Sequence, residues 1–376
     1  MIKTACYIHI PFCDHKCIYC DFYSIITSDN INPFLDSLIK EIDFYALKHS
    51  ENREIISIYF GGGTPSLMEP DYIEQIINVA KKNFNVSDTA EITLETNPGT
   101  VTLDKLKRFK EAGINRISIG IQSFDDEELK FLTRIHDSKT AIETVENAYN
   151  AGFNNISVDL IFNLPNQTKK KWKENLIKAI GLPIAHISAY SLILERGTIL
   201  NKMVLDGRVR LQDADYDANL YETTINYLEK RGFEQYEVSN FTKPGFECVH
   251  NNSYWQYGEY FGFGTSAHSF IDKKRSWNFS SLKKYISEIE LNGNAIAGSE
   301  LITAEKELDE YVMLAFRSSG LKINEFKERF GNSWLEAKNY YFNLLEEKKL
   351  LKTSNGSIVL TAKGYAVCDE ILKEIL

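Results

Sequence analysis

Three cysteines near the start of this 376-residue sequence are spaced to bind an inorganic cofactor. Cys13, Cys17 and Cys20 form a C-x3-C-x2-C pattern, whereas the other three cysteines are scattered along the chain. Six cysteines are too few for a disulfide scaffold, and clustered thiols in a reducing compartment favour metal ligation. Three thiolates on a [4Fe–4S] cluster would leave one iron open to an exchangeable ligand. The alternative is a structural zinc ion with His15 as the fourth ligand, because such sites are normally closed.

Further polar residues end short apolar segments that predict β-strands. The segment GGGTP at 61–65 would let the backbone approach a ligand, and it lacks the G-x4-G-K-[ST] phosphate pattern. Glu95, Gln122 and Asp159 lie on otherwise apolar strands, where burial without a partner would cost roughly 1–3 kcal/mol each. Each residue alone is equally well explained by a structural hydrogen bond. Their shared position at the ends of successive strands, beside the cysteines, favours a common ligand.

Alternating strands and helices must position these residues. Six β-branched or aromatic segments predict strands at 6–10, 55–60, 91–95, 116–121, 156–161 and 186–191. Amphipathic patterns predict helices at 33–47, 71–83, 103–112, 140–151 and 169–180. This alternation predicts an α/β protein, either a partial (βα)6 barrel or a doubly wound sheet. The barrel is favoured because the chemically interesting residues lie at the carboxyl ends of the strands.

The pattern changes after residue 200, so we expect three parts at 1–200, 201–299 and 300–376. The middle part predicts a helix at 213–230, an extended segment at 233–241 and an aromatic, glycine-rich stretch. The last part predicts helices at 304–317, 323–330 and 333–347, a hairpin with an Asn-Gly turn and a helix at 362–375. This order resembles a winged helix. Its 11 Lys and Arg against 13 Asp and Glu in residues 300–376 argue against a DNA-binding role.

Charge and hydropathy exclude several further classes of function. The net charge of −9 and the pI near 5.5 argue against nucleic acid as a partner. No apolar run approaches the roughly 18–20 residues that cross a bilayer, and the first residues do not resemble a signal peptide. We therefore expect a cytoplasmic protein that is not an integral membrane protein. A homodimer is compatible with the sequence, which fixes no symmetry.

The cysteine loop after the first strand resembles the radical S-adenosylmethionine (SAM) superfamily, in which SAM chelates the open iron of a [4Fe–4S] cluster. The segments HIPFC at 9–13, GGGTP at 61–65, GIQSF at 120–124 and RIH at 134–136, with the Asp159 strand, are similar to the oxygen-independent coproporphyrinogen III oxidase family. This resemblance extends over essentially the whole chain. It implies that Cys13, Cys17 and Cys20 hold the cluster. The SAM contacts that it implies are Tyr7, Tyr19, Gly62, Gly63, Thr64, Glu95, Gln122, Arg134, Asp159 and Ser191.

Two departures point to the haem chaperone branch (HemW) of that family. The oxidases typically continue to C-x3-C-x2-C-x-C, where this sequence has Phe22, and they carry an N-terminal extension, whereas only six residues precede Tyr7. The segment HNNSYW at 250–255 fits the H-N-x-x-Y-W motif of the branch, which is associated with haem binding. A partly buried histidine in an aromatic loop explains His250 as well from residue types alone. The resemblance favours His250 as a haem ligand, with His268 and Cys248 as rivals.

The resemblance therefore implies a protein that binds haem and passes it to acceptor haemoproteins of unknown identity, with a [4Fe–4S]–SAM centre for assembly or regulation. The alternative is an enzyme, an oxygen-independent coproporphyrinogen III oxidase that decarboxylates propionates to vinyl groups. A third reading is radical chemistry on another tetrapyrrole or on haem itself. The residues do not decide whether SAM is turned over or merely held, so no catalytic residue is assigned. The sequence has no C-x-x-C-H motif, which is the pattern that would indicate thioether-linked haem.

Overall fold

Six parallel strands form the centre of the main sheet in the computed structural model, which describes residues 1–27 and 29–376. The strands lie in chain order, and each pairs in parallel with the next, as the alternation predicts. The fold is therefore α/β, and the carboxyl ends of all six strands meet at one edge. The strands are β1 (Ile2–Ile10), β2 (Arg53–Gly62), β3 (Asn85–Thr96), β4 (Arg116–Gln122), β5 (Asn155–Phe162) and β6 (His186–Ser191).

Helices connect these strands, and the side chains of the residues just before several of them cap the helix starts. The side chains of Thr102, Asp137 and Thr168 each accept a hydrogen bond from a backbone N–H three residues later. Leu106 and Phe109, part of the predicted apolar repeat, are buried in the core. A short helix after β4 was not predicted. The helices are α1 (Ile31–His49), α2 (Pro70–Asn83), α3 (Leu103–Glu111), α4 (Asp126–Phe131), α5 (Ser138–Asn150) and α6 (Lys169–Ile180).

The following residues extend the sheet on both sides to twelve strands. These elements are α7 (Ile199–Leu205), α8 (Ala214–Glu229), β7 (Glu234–Gln235), β8 (Asn240–Thr242), α9 (Val249–Trp255), β9 (Glu259–Gly264), β10 (His268–Ile271), β11 (Lys274–Asn278), α10 (Leu282–Asn292) and β12 (Ile296–Leu301). The strand order is β12-β11-β10-β9-β1-β2-β3-β4-β5-β6-β8-β7. The segment expected to be extended at 233–241 thus forms two short strands. The proposed division at residue 200 stays a prediction.

The last residues form a small unit with its own apolar core, as expected for a winged-helix-like arrangement. Its elements are α11 (Ala304–Phe316), β13 (Leu321–Lys322), α12 (Ile323–Phe330), α13 (Ser333–Glu347), β14 (Leu351–Ser354), β15 (Ser357–Leu360), α14 (Ala362–Ala366) and α15 (Cys368–Ile375). Asn355 and Gly356 have positive φ angles, which suits a tight hairpin turn. The single helix expected at 362–375 is wrong, because Val367, with φ −124° and ψ 29°, interrupts it. No helix in the described ranges is both long and apolar enough to cross a membrane.

Candidate functional site

The cysteine loop leaves β1 at the carboxyl edge of the sheet and folds back on its own beginning. The backbone N–H of Cys13 donates to the carbonyl of Ile25 at 3.0 Å, and the N–H of Ile25 donates to the carbonyl of Pro11 at 2.8 Å. These two bonds close the loop at its base. They hold Cys13, Cys17 and Cys20 within one compact segment, and all three side chains are partly exposed.

Contacts from neighbouring strand ends reach two of the three thiols. The Cys13 Sγ lies 3.3 Å from the Thr64 hydroxyl, and the Arg134 guanidinium donates to the Cys17 Sγ at 3.5 Å. The His15 Nε2 lies 3.2 Å from the Thr133 hydroxyl. Among the described residues, no three His, Cys, Asp or Glu side chains are grouped to hold one metal ion.

The glycine-rich turn after β2 packs directly against the start of the cysteine loop. The N–H of Gly63 donates to the carbonyl of Ile10 at 2.8 Å, and the N–H of Thr64 donates to the carbonyl of Phe12 at 2.7 Å. A Cβ on Gly63 would lie 2.5 Å from the Phe12 carbonyl oxygen. Gly62 has φ +112° and lies against the His9 ring. Glycine is therefore required here by close backbone approach as well as by conformation.

Two half-buried carboxylates face the space beside this turn. Glu95 accepts hydrogen bonds from the Tyr59 hydroxyl at 2.8 Å and from the Gly62 N–H at 3.2 Å, and Asp159 accepts one from the Ser118 hydroxyl at 3.3 Å. Burial raises the pKa of Glu95 to about 7, against the hydrogen bond from Tyr59 and with a contribution from nearby Asp159. Burial also raises the pKa of Asp159. A cationic ligand in this space would stabilise both carboxylates in their charged form.

Arg134 connects the end of β4 to the other strand ends. Its guanidinium donates to the Gly120 carbonyl and to the Asn97 side-chain oxygen, both at 2.6 Å, and the Asn97 amide in turn donates to the Thr64 hydroxyl at 2.8 Å. The Arg134 Nε is buried without a hydrogen-bond partner in the described part of the chain. Gln122 adopts a left-handed conformation with φ +72°, which turns the chain at the end of β4. This arrangement leaves a donor available for an anionic group of a ligand.

A cavity of about 420 Å³ joins the cysteine loop to these strand ends, a size typical of small-molecule sites. The three clustered cysteines line it together with nine of the ten residues expected to contact SAM. Those nine are Tyr19, Gly62, Gly63, Thr64, Glu95, Gln122, Arg134, Asp159 and Ser191. Ser191 also donates a hydrogen bond to Asp217 at 2.7 Å. The tenth, Tyr7, lines a different cavity.

This second cavity, of about 840 Å³, lies between the carboxyl edge of the sheet and α11 of the last unit. Tyr7, His250 and His268 line it, with Met313 and Leu314 of α11 among the other lining residues. Some lining residues belong to both cavities: Asp21, Phe22, Gly62, Glu95 and Tyr190. The two spaces are therefore neighbours. Phe22 stands between them with 61% of its surface exposed.

His250 lies in the wall of the second cavity, on α9, and is 2% exposed. Its Nδ1 lies 3.0 Å from the Ser57 hydroxyl, its Nε2 lies 2.9 Å from the Tyr254 hydroxyl, and its ring stacks on Tyr59 at 4.8 Å. Burial, aided by the positive charge of Arg116, lowers the pKa of His250 to about 3, so the imidazole is neutral. Iron ligation through Nε2 would require the hydrogen bond to Tyr254 to break.

The other two residues considered as iron ligands are placed very differently. Cys248 is fully buried and its thiol donates to Glu91 at 3.3 Å, away from both cavities. His268 is exposed and lines the second cavity. Of the two, only His268 is placed to meet a bound ligand.

Sequence reasoning missed several polar residues that complete the site. Asn97 and Ser118 line the first cavity. Tyr59 lines the second cavity and donates a hydrogen bond to Glu95. Asn97 follows Glu95 by two residues in a segment that was already of interest, so its position was a usable signal. Ser118 and Tyr59 lie within strands, and only the pairing of those strands brings them to the site.

Comparison with protein families matches two parts of the chain. Residues 7–177 match the model described as the radical SAM superfamily, and residues 302–367 match the model described as the HemN C-terminal domain. The solved structure of the coproporphyrinogen III oxidase HemN from Escherichia coli, a radical SAM enzyme, has a similar fold. The TM-score is 0.83 at 23% identity, covering 100% of this chain and 90% of that chain.

Relatives with similar sequences extend over the full length. The haem chaperone HemW of Bacillus subtilis (strain 168) is 35% identical over 378 residues, covering 100% of this chain and 99% of that protein. The radical S-adenosyl methionine domain-containing protein 1, mitochondrial, of Danio rerio is 40% identical over 393 residues, covering 100% of this chain and 87% of that protein. The haem chaperone HemW of Lactococcus lactis subsp. lactis (strain IL1403) is 32% identical over 375 residues, covering 99% and 97%.

Proposed function

Because this chain belongs to the HemW haem chaperone family of radical SAM proteins, we propose that it binds haem and passes it to acceptor haemoproteins. A [4Fe–4S] cluster with exchangeable SAM serves assembly or regulation of this carrier. The observation that supports the proposal most directly is the adjacency of two cavities at the carboxyl edge of the sheet. The clustered, partly exposed thiols suit a reducing compartment, so we place the protein in the cytoplasm.

In this proposal, Cys13, Cys17 and Cys20 hold the cluster. The closed base of their loop and the contacts from Thr64 and Arg134 support this assignment. Replacing any one of the three by Ala should abolish iron and sulfide binding, and with it the absorbance near roughly 400 nm after anaerobic reconstitution. Cys368→Ala, in the last unit, is the matched control and should retain both. Zinc without acid-labile sulfide in the wild-type protein would contradict the assignment.

The 420 Å³ cavity is our proposed SAM site. Bound to the open iron, SAM would supply a sulfonium that accepts an electron from the reduced cluster. The chain's own residues fit such a ligand. Glu95 and Asp159 offer two half-buried carboxylates to cationic groups, and the Nε of Arg134, which has no partner among the described residues, offers a donor to an anionic group. The lack of side chains at Gly62 and Gly63 keeps the approach to the cysteine loop open.

Haem, in this proposal, occupies the 840 Å³ cavity, whose aromatic walls suit a flat macrocycle. His250 and Tyr254 belong to one wall, where their edge-to-face contact at 4.9 Å holds the ring of Tyr254. The test is a titration of the purified protein with haem, followed by addition of an acceptor haemoprotein stripped of its haem. We expect a shifted Soret band and then transfer to the acceptor. An unshifted Soret band would contradict the haem-carrier proposal.

The second candidate function is radical decarboxylation of coproporphyrinogen III. The observation that favours it is the full set of polar groups around the first cavity, which a passive carrier would not need. Anaerobic incubation with reductant, SAM and coproporphyrinogen III decides between the two. Protoporphyrinogen formation would establish the enzyme. Cleavage of SAM without that product would remove this candidate and leave the carrier.

A further inference from the structure

Three histidines line the 840 Å³ cavity, and they differ in the state of their ring nitrogens. In His9, Nδ1 lies 3.1 Å from the Tyr7 hydroxyl and Nε2 lies 2.9 Å from the Tyr23 carbonyl oxygen. Both nitrogens of His250 are likewise engaged by hydroxyl groups. For His268, no ring nitrogen has a hydrogen-bond partner among the residues that the structure describes. A metal ion can therefore reach His268 without breaking an existing bond.

The other side chains around the cavity are poorer iron ligands. No cysteine lines it. A tyrosine ligates iron best as a phenolate, but burial raises the pKa of six lining tyrosines, which are Tyr7, Tyr59, Tyr190, Tyr254, Tyr257 and Tyr260. The thioether of Met313 is a neutral donor, of the kind that pairs with histidine in some haem proteins. Histidine is therefore the first choice, and His268 is the accessible one.

The surroundings of His268 also suit a flat apolar ligand. It begins β10, and its ring stacks on Trp277 of β11 with centroids 5.9 Å apart and planes at 28°. Phe270, two residues later, lines the same cavity, as alternation along a strand requires. Met313 and Leu314 of α11 add apolar groups from the last unit. Trp277 thus orients the imidazole, while α11 closes the space.

We propose that His268 supplies the imidazole that ligates the haem iron, in place of His250, and that α11 forms the opposite wall of this site. This inference rests on the proposed function, because it identifies the ligand within the same haem cavity. His250 then has a supporting role, holding Tyr254 and Tyr59 in the wall.

The test compares haem binding by full-length wild-type protein, His268→Gly, His250→Gln and the control His49→Gly, whose histidine lies outside both cavities. Difference spectra against the haem-free protein remove any cluster absorbance, and electron paramagnetic resonance reports the iron ligand. Mutation of a residue that hydrogen-bonds to a metal ligand typically costs about 10- to 100-fold in metal affinity. Loss of the ligand itself should cost at least as much, so we expect His268→Gly to bind haem at least about tenfold more weakly than the wild type. Added imidazole should restore the wild-type spectrum in this variant. His49→Gly should bind haem as the wild type does.

The outcomes separate the two proposals. If the wild-type protein does not bind haem, the proposed function fails and this inference fails with it. If the wild type binds haem and His268→Gly keeps its affinity and spectrum, the inference is wrong and the haem-carrier function stands. Loss of the histidine spectrum in His250→Gln alone, with normal circular dichroism, would assign the iron to His250 and also overturn the inference.

Discussion

Gly63→Ala should loosen the cysteine loop, because the added methyl group would meet the backbone of that loop. The φ of Gly63 lies outside the left-handed region, so space alone decides the effect. Its new Cβ would lie 2.5 Å from the carbonyl oxygen of Phe12 and 3.0 Å from that of Ile10, whereas ordinary contact begins at 3.4 Å. Both atoms belong to backbone, so the turn and the loop must separate. Overpacking of this kind typically costs about 1–3 kcal/mol.

In the cluster-free protein the cysteine loop can move away from the turn and relieve this strain. Binding of the cluster requires the loop to return to its strained position, so the strain energy is subtracted from the binding free energy. The binding constant of the cluster should therefore fall by roughly 5-fold if the strain energy is about 1 kcal/mol, and by roughly 150-fold if it is about 3 kcal/mol. The assay measures iron and acid-labile sulfide per chain after anaerobic reconstitution at limiting iron. Gly181→Ala is the matched control, because its Cβ would lie 3.5 Å from the nearest carbonyl oxygens. If Gly63→Ala loads as much cluster as Gly181→Ala, the glycine-rich turn does not position the cysteine loop.

Two further predictions concern the polar network and pH. Asn97→Ala removes the link between Thr64 and Arg134 and should weaken SAM binding about tenfold, measured by equilibrium dialysis of the cluster-loaded protein. The control is Asn83→Ala, a half-buried asparagine outside both cavities, which should leave SAM binding unchanged. Equal affinities of the two variants would exclude this link. Burial raises the pKa of three carboxylates to about 7: Glu41, Glu95 and Glu237. At these three groups the folded state binds more protons than the unfolded state, so their contribution to the free energy of unfolding of the cluster-free protein should fall by about 2 kcal/mol from pH 6.5 to 8. Urea unfolding of the wild type and of Glu41→Gln at both pH values should give changes in this free energy that differ by about a third of that amount; equal changes in the two proteins would contradict the assignment.

The pH range matters because buried histidines act in the opposite direction. Burial lowers the pKa of His136 to about 4 and of His250 to about 3, below the usual value near 6.5. The unfolded state then binds more protons below pH 6.5, and stability is lost as the pH falls. An unfolded histidine is half protonated at its pKa near 6.5, so this gain in stability continues to about pH 7.5 and opposes the carboxylate effect. The histidines are the same in the wild type and in Glu41→Gln, so the difference between the two proteins isolates the carboxylate.

The strand and helix pattern and the main local features of the site were predictable from short stretches of sequence. Cys13, Cys17 and Cys20 lie within eight residues, and the glycine-rich turn is contiguous. Parallel strands place their carboxyl ends at one edge of the sheet, so polar residues at those ends were expected to lie close together. Nine of the ten SAM contacts that the family resemblance implied line one cavity, and their role in binding SAM stays a prediction.

What the sequence could not decide was which neighbours surround each side chain. His250 was expected to offer a ligand, but Ser57, 193 residues away, and Tyr254 occupy its two nitrogens. Tyr7 lies on β1, the strand that leads into the cysteine loop, yet it lines the second cavity and not the first. The reason is physical: sequence spacing fixes the local geometry of a loop or strand. The partners of a buried polar group are set by strand pairing and packing between distant segments, and these exist only in the folded chain.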